Sequence, residues 1–176
     1  LVWGIIGIQI TVFALLNIPF VQGKLASIVS SELRKILNTE VSVGHIELGL
    51  FNRIHIEDVL LNDLQGEEML NVHRLTARYQ FKPLLEGRIV INSIQLIGFD
   101  VRLKKDTPES VPNFQFVIDA FASKDTLKEP PKLDLRINSV LINRGNLSYD
   151  VLSIPETPDK FNASHIGISN LSASLS

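Results

Sequence analysis

One spacing constrains this chain more than any other: two apolar residues in alternation, a step of three, then two more. The stretch IVINSIQL carries it at Ile89, Ile91, Ile94 and Leu96, with Asn92-Ser93 filling the step. It recurs at Val41, Val43, Ile46, Leu48; at Ile54, Ile56, Val59, Leu61; and at Leu70, Val72, Leu75, Ala77. After a break it returns at Leu135, Ile137, Val140, Ile142 and at Phe161, Ala163, Ile166, Ile168. Alternation marks a half-buried strand, but a step of three sends the second pair to the opposite face. A bulge, which sets two residues against one, returns it. Each unit is therefore expected to be a bulged, sharply bent strand that keeps one face apolar throughout.

What precedes the first unit is of another kind. Leu1 to Gly23 holds no charged residue, and a helix of that length, at ~1.5 Å per residue, spans roughly 35 Å, enough for a bilayer core. No Ala-x-Ala pattern follows it, so a retained transmembrane anchor over 1–23 is expected rather than a cleaved signal peptide. Trp3 suits an interfacial position. Pro19 interrupts the run. Residues 24–39 then read as an amphipathic helix with Leu25, Ile28, Val29, Leu33, Ile36 and Leu37 on one face, capping the first strand.

From residue 40 onward the pattern is that of an antiparallel meander. Asp63–Gly66, Pro83 and Gly87 mark turns, and Gly98 separates Ile89–Leu96 from the alternating Phe99, Val101, Leu103. Phe114, Val117, Ile118 and Phe121 follow the i, i+3, i+4, i+7 rule and predict a short helix whose face packs on the sheet. Lys124–Lys132 reads as a polar loop. INSI at Ile91–Ile94 reappears as INSV at Ile137–Val140, but no propeller signature accompanies it.

The chain carries little that could do chemistry. It has no cysteine and a net charge of -2, which removes thiol nucleophiles, zinc knuckles and the electrostatic footprint of a nucleic-acid binder. His45, His55, His73 and His165 fall in no metal-ligand spacing. Glu57-Asp58 and Glu67-Glu68 are adjacent in sequence, so a strand would point each pair apart. No nucleophile elbow, P-loop or dinucleotide fingerprint is present. Neither catalytic residues, nor a metal, nor a cofactor is expected.

What remains is an apolar face that has to be buried against something. An ordinary sandwich would do so; so would a curved sheet folded into an open trough filled by acyl chains. The trough would be lined by Val41, Val43, Ile46, Leu48, Ile54, Ile56, Val59, Leu61, Val72, Leu75, Ile89, Ile91, Ile94, Leu96, Leu135, Ile137, Val140 and Ile142.

The order of anchor, amphipathic helix, VSVGHIELGLFNRIHIEDVLLNDLQGEEML, GRIVINSIQLIGFDVRL and NFQFVIDAFAS resembles the N-terminal region of the AsmA-like family, in particular its TamB group as found in Bacteroidota. The resemblance covers nearly the whole chain and is most specific over Leu50–Leu70 and Asn113–Ser123. It implies a mainly β chain, a fragment of a longer one: a transmembrane helix in the inner membrane, an amphipathic helix, then a curved, bulged antiparallel sheet opening a periplasmic groove, the β-taco. It also implies phospholipid as cargo and an Omp85-type (TamA-like) outer-membrane barrel as partner through a part beyond Ser176. Two functions stay open: a bridge carrying phospholipid between the membranes, or a scaffold assisting outer-membrane protein insertion that carries no lipid. An anchored envelope enzyme is the third class, and it lacks a reactive constellation.

Overall fold

The computed structural model describes residues 19–49, 52–80, 82–83, 89–122 and 133–175. Residues 1–18 of the membrane anchor expected over 1–23 and the Lys124–Lys132 loop lie outside them, while 19–23 belong to the first described helix. Among the described residues no helix is long and apolar enough to cross a membrane.

Helix α1 runs Pro19–Leu37, starting before the amphipathic boundary expected at residue 24. Proline is tolerated at a helix start, where the N–H it lacks would have no intrahelical partner. Asn38 ends the helix in the left-handed region at φ 54, donating its N–H to the Arg34 carbonyl at 2.8 Å; asparagine is one of the few residues that occupy that conformation readily.

Six strands follow: β1 (Val41–Gly49), β2 (Arg53–Asn62), β3 (Glu68–Tyr79), β4 (Ile89–Lys105), β5 (Leu133–Val151) and β6 (His165–Leu175). A short helix, α2 (Gln115–Phe121), lies between β4 and β5. The strands form one open sheet in sequence order, so the mainly β expectation holds. The antiparallel expectation fails at one joint, because β4 and β5 run parallel, with Ile94 beside Val140 and Val101 beside Leu147. Parallel neighbours need a crossover of a dozen or more residues, and the long connection carrying α2 provides it. Gly98 does not separate two strands; at φ 64 it is a kink inside one strand.

Both helices pack on part of the predicted face: Leu25, Val29, Leu33 and Leu37 of α1, and Phe114 and Val117 at α2, lie on the core, and each packed face is turned from the predicted one. The buried stripe of α1 is Gln22, Ala26, Ser30 and Leu37, while Ile28 and Ile36 are 53% and 50% exposed. Small residues lead the stripe because α1 lies close against β1. The Ser30 hydroxyl accepts the Val43 N–H at 2.9 Å and donates to the Ala26 carbonyl at 2.8 Å. Arg34 Nε donates to the Val41 carbonyl at 2.7 Å. In α2, Phe116, Val117 and Ala120, with Phe114 just before them, pack on the cluster of Leu37, Val41, Leu61 and Met69. Ile118 and Phe121 stay exposed. A helix of barely two turns is aimed by its entry point: Asn113 exchanges hydrogen bonds with Lys104, its N–H donating to the Lys104 carbonyl and its Oδ1 accepting the Lys104 N–H.

Phe161 and Ala163, expected as the first pair of the last strand, lie in the loop before β6, and Phe161 is 87% exposed. Pro155, Pro158 and the left-handed Asp159 (φ 60) occupy that loop. Pairing therefore begins only at His165 with Asp150.

Candidate functional site

The register aligns the apolar positions of all six strands into four rows. Row A is Val41, Leu61, Leu70, Val101, Leu147, Ile168; row B is Val43, Val59, Val72, Phe99, Gly145, Leu171. Row C is Ile46, Ile56, Leu75, Leu96, Ile142, Ala173; row D is Leu48, Ile54, Ala77, Ile94, Val140, Leu175. Directly paired residues share a face of a sheet, so the rows form one continuous apolar surface crossing every strand.

Rows B and C are separated by the three-residue step in each of β1 to β5. In the first four strands the steps lie opposite one another, and the register passes through them without slipping. This corrects the expectation of a bulge in every unit: when neighbouring strands all take the step at one level, neither gains a residue on the other and the register does not shift. Left-handed residues sit on this line, Asp58 at φ 53, Gly98 at φ 64 and Arg144 at φ 54. In β6 the step moves to between rows A and B, where Asn170 has φ 54.

A true bulge occurs at Asn92. Arg78 pairs with Ser93 and Tyr79 with Ile91, which leaves Asn92 unopposed. Ile91 and Ile94 thus face Tyr79 and Ala77, two residues apart on β3, and share the apolar face as the spacing predicts. The shift also displaces β5, where Ile91 pairs with Leu135 and Ser93 with Ser139. Ile137, one of the predicted lining positions, falls in that gap, outside the rows and 40% exposed. The side chains of Ile89 and Leu135 lie outside the described residues.

Among the described residues the surface is covered by helices at one end and more open at the other. Val43, Ile46, Ile54 and Ile56 pack with Leu25, Ala26 and Val29 of α1, and Val41 and Leu61 lie against Leu33, Leu37 and α2. These six predicted lining positions are therefore occupied by protein. On β4 to β6 the rows are more open: Ile94, Leu96, Val140 and Ile142 are partly exposed, Ile168 is 39% and Leu175 66% exposed. Phe99, Val101, Leu147 and Leu171 complete the surface but belong to no predicted lining set. Gly145 stands where an apolar residue would have shown the pattern.

Beyond row A, β4 and β5 border an open cleft of about 560 Å³ lined by Arg102, Lys104, Asp150 and His165 among others. The ring of His165 has both nitrogens on acceptors, Nδ1 on Asp150 Oδ1 at 2.9 Å and Nε2 on the Ile154 carbonyl at 2.6 Å. Asp150 above all, and then that carbonyl, raise its pKa above the ordinary histidine value. A raised folded-state pKa stabilises fully below the unfolded value and less as pH rises through the folded one. The urea midpoint is therefore expected to fall as pH climbs from 6. Asp150→Asn should flatten that fall, which a pH series of denaturation curves checks.

The remaining histidines have structural surroundings. His55 Nδ1 lies 3.0 Å from Thr76 Oγ1, and His73 Nδ1 lies 3.4 Å from Asp58 Oδ1 on the line between rows B and C. His45 is opposite Glu57 on the same line. Among the described residues no three metal-ligating side chains converge. Comparison with protein-family models, with curated proteins and with solved structures finds no match to this chain.

Proposed function

We propose that this chain is the inner-membrane end of a periplasmic bridge, and that phospholipid acyl chains travel along the apolar rows in a groove of the β-taco kind. The observation that carries the reading is the continuity of four apolar rows across six strands, on which no helix among the described residues packs in the half remote from α1. The shared line of steps is a natural axis for folding the sheet into a trough, rows A and B on one wall and C and D on the other. An acyl chain sheltered there gains roughly 0.8 kcal/mol per buried methylene, so several methylenes hold it without any polar contact. The resemblance to the AsmA-like family points the same way. On this reading α1 closes the groove at β1, and lipid enters beyond β3.

A photoreactive phospholipid should crosslink to the wild-type protein in membranes. Ile94→Asp and Ile142→Asp should abolish the crosslink while leaving the protein membrane-bound and folded, with a loss of stability of about 1–3 kcal/mol as for partly buried sites. Undiminished crosslinking sinks the reading.

A second reading, a scaffold for outer-membrane protein insertion, draws on the edge of β6, where Leu175 is exposed and a client strand could add. It requires no lipid. Mass spectrometry of gently purified protein separates the two, since the scaffold predicts no stoichiometric phospholipid.

A further inference from the structure

We propose that the end of the sheet beyond row A is a docking surface for a protein partner that presents apolar side chains within a basic surround. The turn between β2 and β3, the loop leading into α2 and the loop between β5 and β6 all emerge at this end. Each carries a bulky apolar residue held out in solvent: Leu64 at 57%, Val111 at 70%, Leu152 at 60% and Phe161 at 87% exposure. Leu64 and Val111 flank one shallow cleft, which adjoins at Asn113 the larger one bordered by Leu152. Leu64, Val111 and Leu152 thus border two adjoining clefts, and exposed apolar side chains brought together in this way mark an interaction surface.

The loops are also ordered. Asp63 Oδ1 accepts the N–H groups of Gln65 and Glu67, at 3.0 and 2.9 Å. Leu152 and Ser153 donate their N–H groups to the Lys105 and Asp106 carbonyls, both at 2.9 Å, which ties two of the loops together. A rigid presentation lowers the entropy lost on binding.

Charge selects the partner. Residues 63–67, 106–122 and 152–164 hold the carboxylates of Glu67, Asp106, Glu109, Asp119, Glu156 and Asp159 besides Asp63, which is paired with Lys104; against them stand Lys160 and, from the end of β4, Arg102 and Lys105, so carboxylates outnumber cations. An anionic membrane surface is repelled by such a rim, whereas a basic surface is steered to it. The occupant is therefore a protein segment with Lys or Arg around its apolar anchors. The surface is separate from the apolar rows, so the inference stands or falls independently of lipid carriage.

A fluorescein-labelled helical peptide with leucine on one face and lysine on the other is the probe, titrated with the full chain and read by anisotropy. Leu64→Ser/Val111→Ser/Phe161→Ser should weaken its binding at least tenfold, and the same peptide with glutamate for lysine should bind at least tenfold more weakly. Equal binding to the variant, or equal binding of the glutamate peptide, overturns the proposal. So does a loss of flotation with phosphatidylcholine vesicles in the variant without a loss of peptide binding, which would assign the surface to a membrane. If the triple variant unfolds, Phe161→Ser alone decides: a threefold loss supports the docking surface, and no change removes it.

Discussion

Gly145→Val should cost the fold about 3 kcal/mol, read as a lowered urea midpoint. Gly145 is the one position in rows A to D without a side chain, and the ring of its row neighbour Phe99 fills the space. A Cβ on Gly145 would lie 1.9 Å from Phe99 Cζ and 2.1 and 2.3 Å from the two Cε atoms. Phe99 is only 6% exposed, so the ring has no free volume to swing into. It would have to leave the sheet or push β4 from β5 along their shared ladder. Phe99→Ala alone should also be costly, by roughly 3–5 kcal/mol for a buried aromatic. The double variant should lose less than the sum of the two, by a coupling of at least about 1 kcal/mol. Strict additivity would show that ring and glycine do not share one space.

Asp63→Ala should destabilise by about 3 kcal/mol. The carboxylate is 1% exposed and sits where three connections meet. Lys104 Nζ is 3.0 Å away, Asn113 Nδ2 3.4 Å, and the Gln65 and Glu67 N–H groups close the turn on its other oxygen. Alanine would leave a largely buried ammonium and two backbone donors without their acceptor. Burial alone pushes this carboxyl's pKa up, but Lys104, the Glu67 N–H and Asn113 outweigh it, and the net position is below the ordinary aspartate value. A depressed folded-state pKa gives stability that is present above the unfolded value and lost as pH falls through the folded one. Acid unfolding should therefore set in below about pH 4, and Asp63→Asn should flatten the acid limb of the stability profile while lowering its neutral plateau.

The opening spacing made most of the sheet legible, because a step of three flanked by alternating pairs survives in the register of β1 to β4. What it could not show was whether neighbouring strands take the step together. That depends on pairing: the same local pattern is a register-neutral kink at Gly98 and a bulge at Asn92, and only the partner strand decides. The parallel joint had a trace in the sequence. INSI and INSV end in Ile94 and Val140, which are direct partners, so the echo marks neighbouring strands rather than a repeat of blades. The helix faces were legible only in part, since apolar content points to Ile28 and Ile36, which stay exposed, and passes over Ala26 and Ser30, which are buried. Ala26 and Ser30 look like solvent positions until the helix has to lie within hydrogen-bonding reach of a strand. Leu147 and Leu171 were hidden by polar neighbours in RGNLSYD and SNLSAS; Leu64, Val111 and Leu152 had no periodicity to betray them, and Phe161 had one that pointed to a strand.

The two margins of the sheet are unlike. On one, Ser30 and Arg34 of α1 answer backbone groups of Val43 and Val41, which leaves little there for another strand to join. On the other, β6 pairs among the described residues with β5 alone and carries no charged residue after His165 to discourage a neighbour. Growth of this sheet is thus directional. Whatever strand is added, from this polypeptide or from another, is most readily laid beside β6, taking its register from a ladder whose first rung is fixed by a helix. Errors of assembly should gather at that same margin, since association by strand pairing has one place to begin.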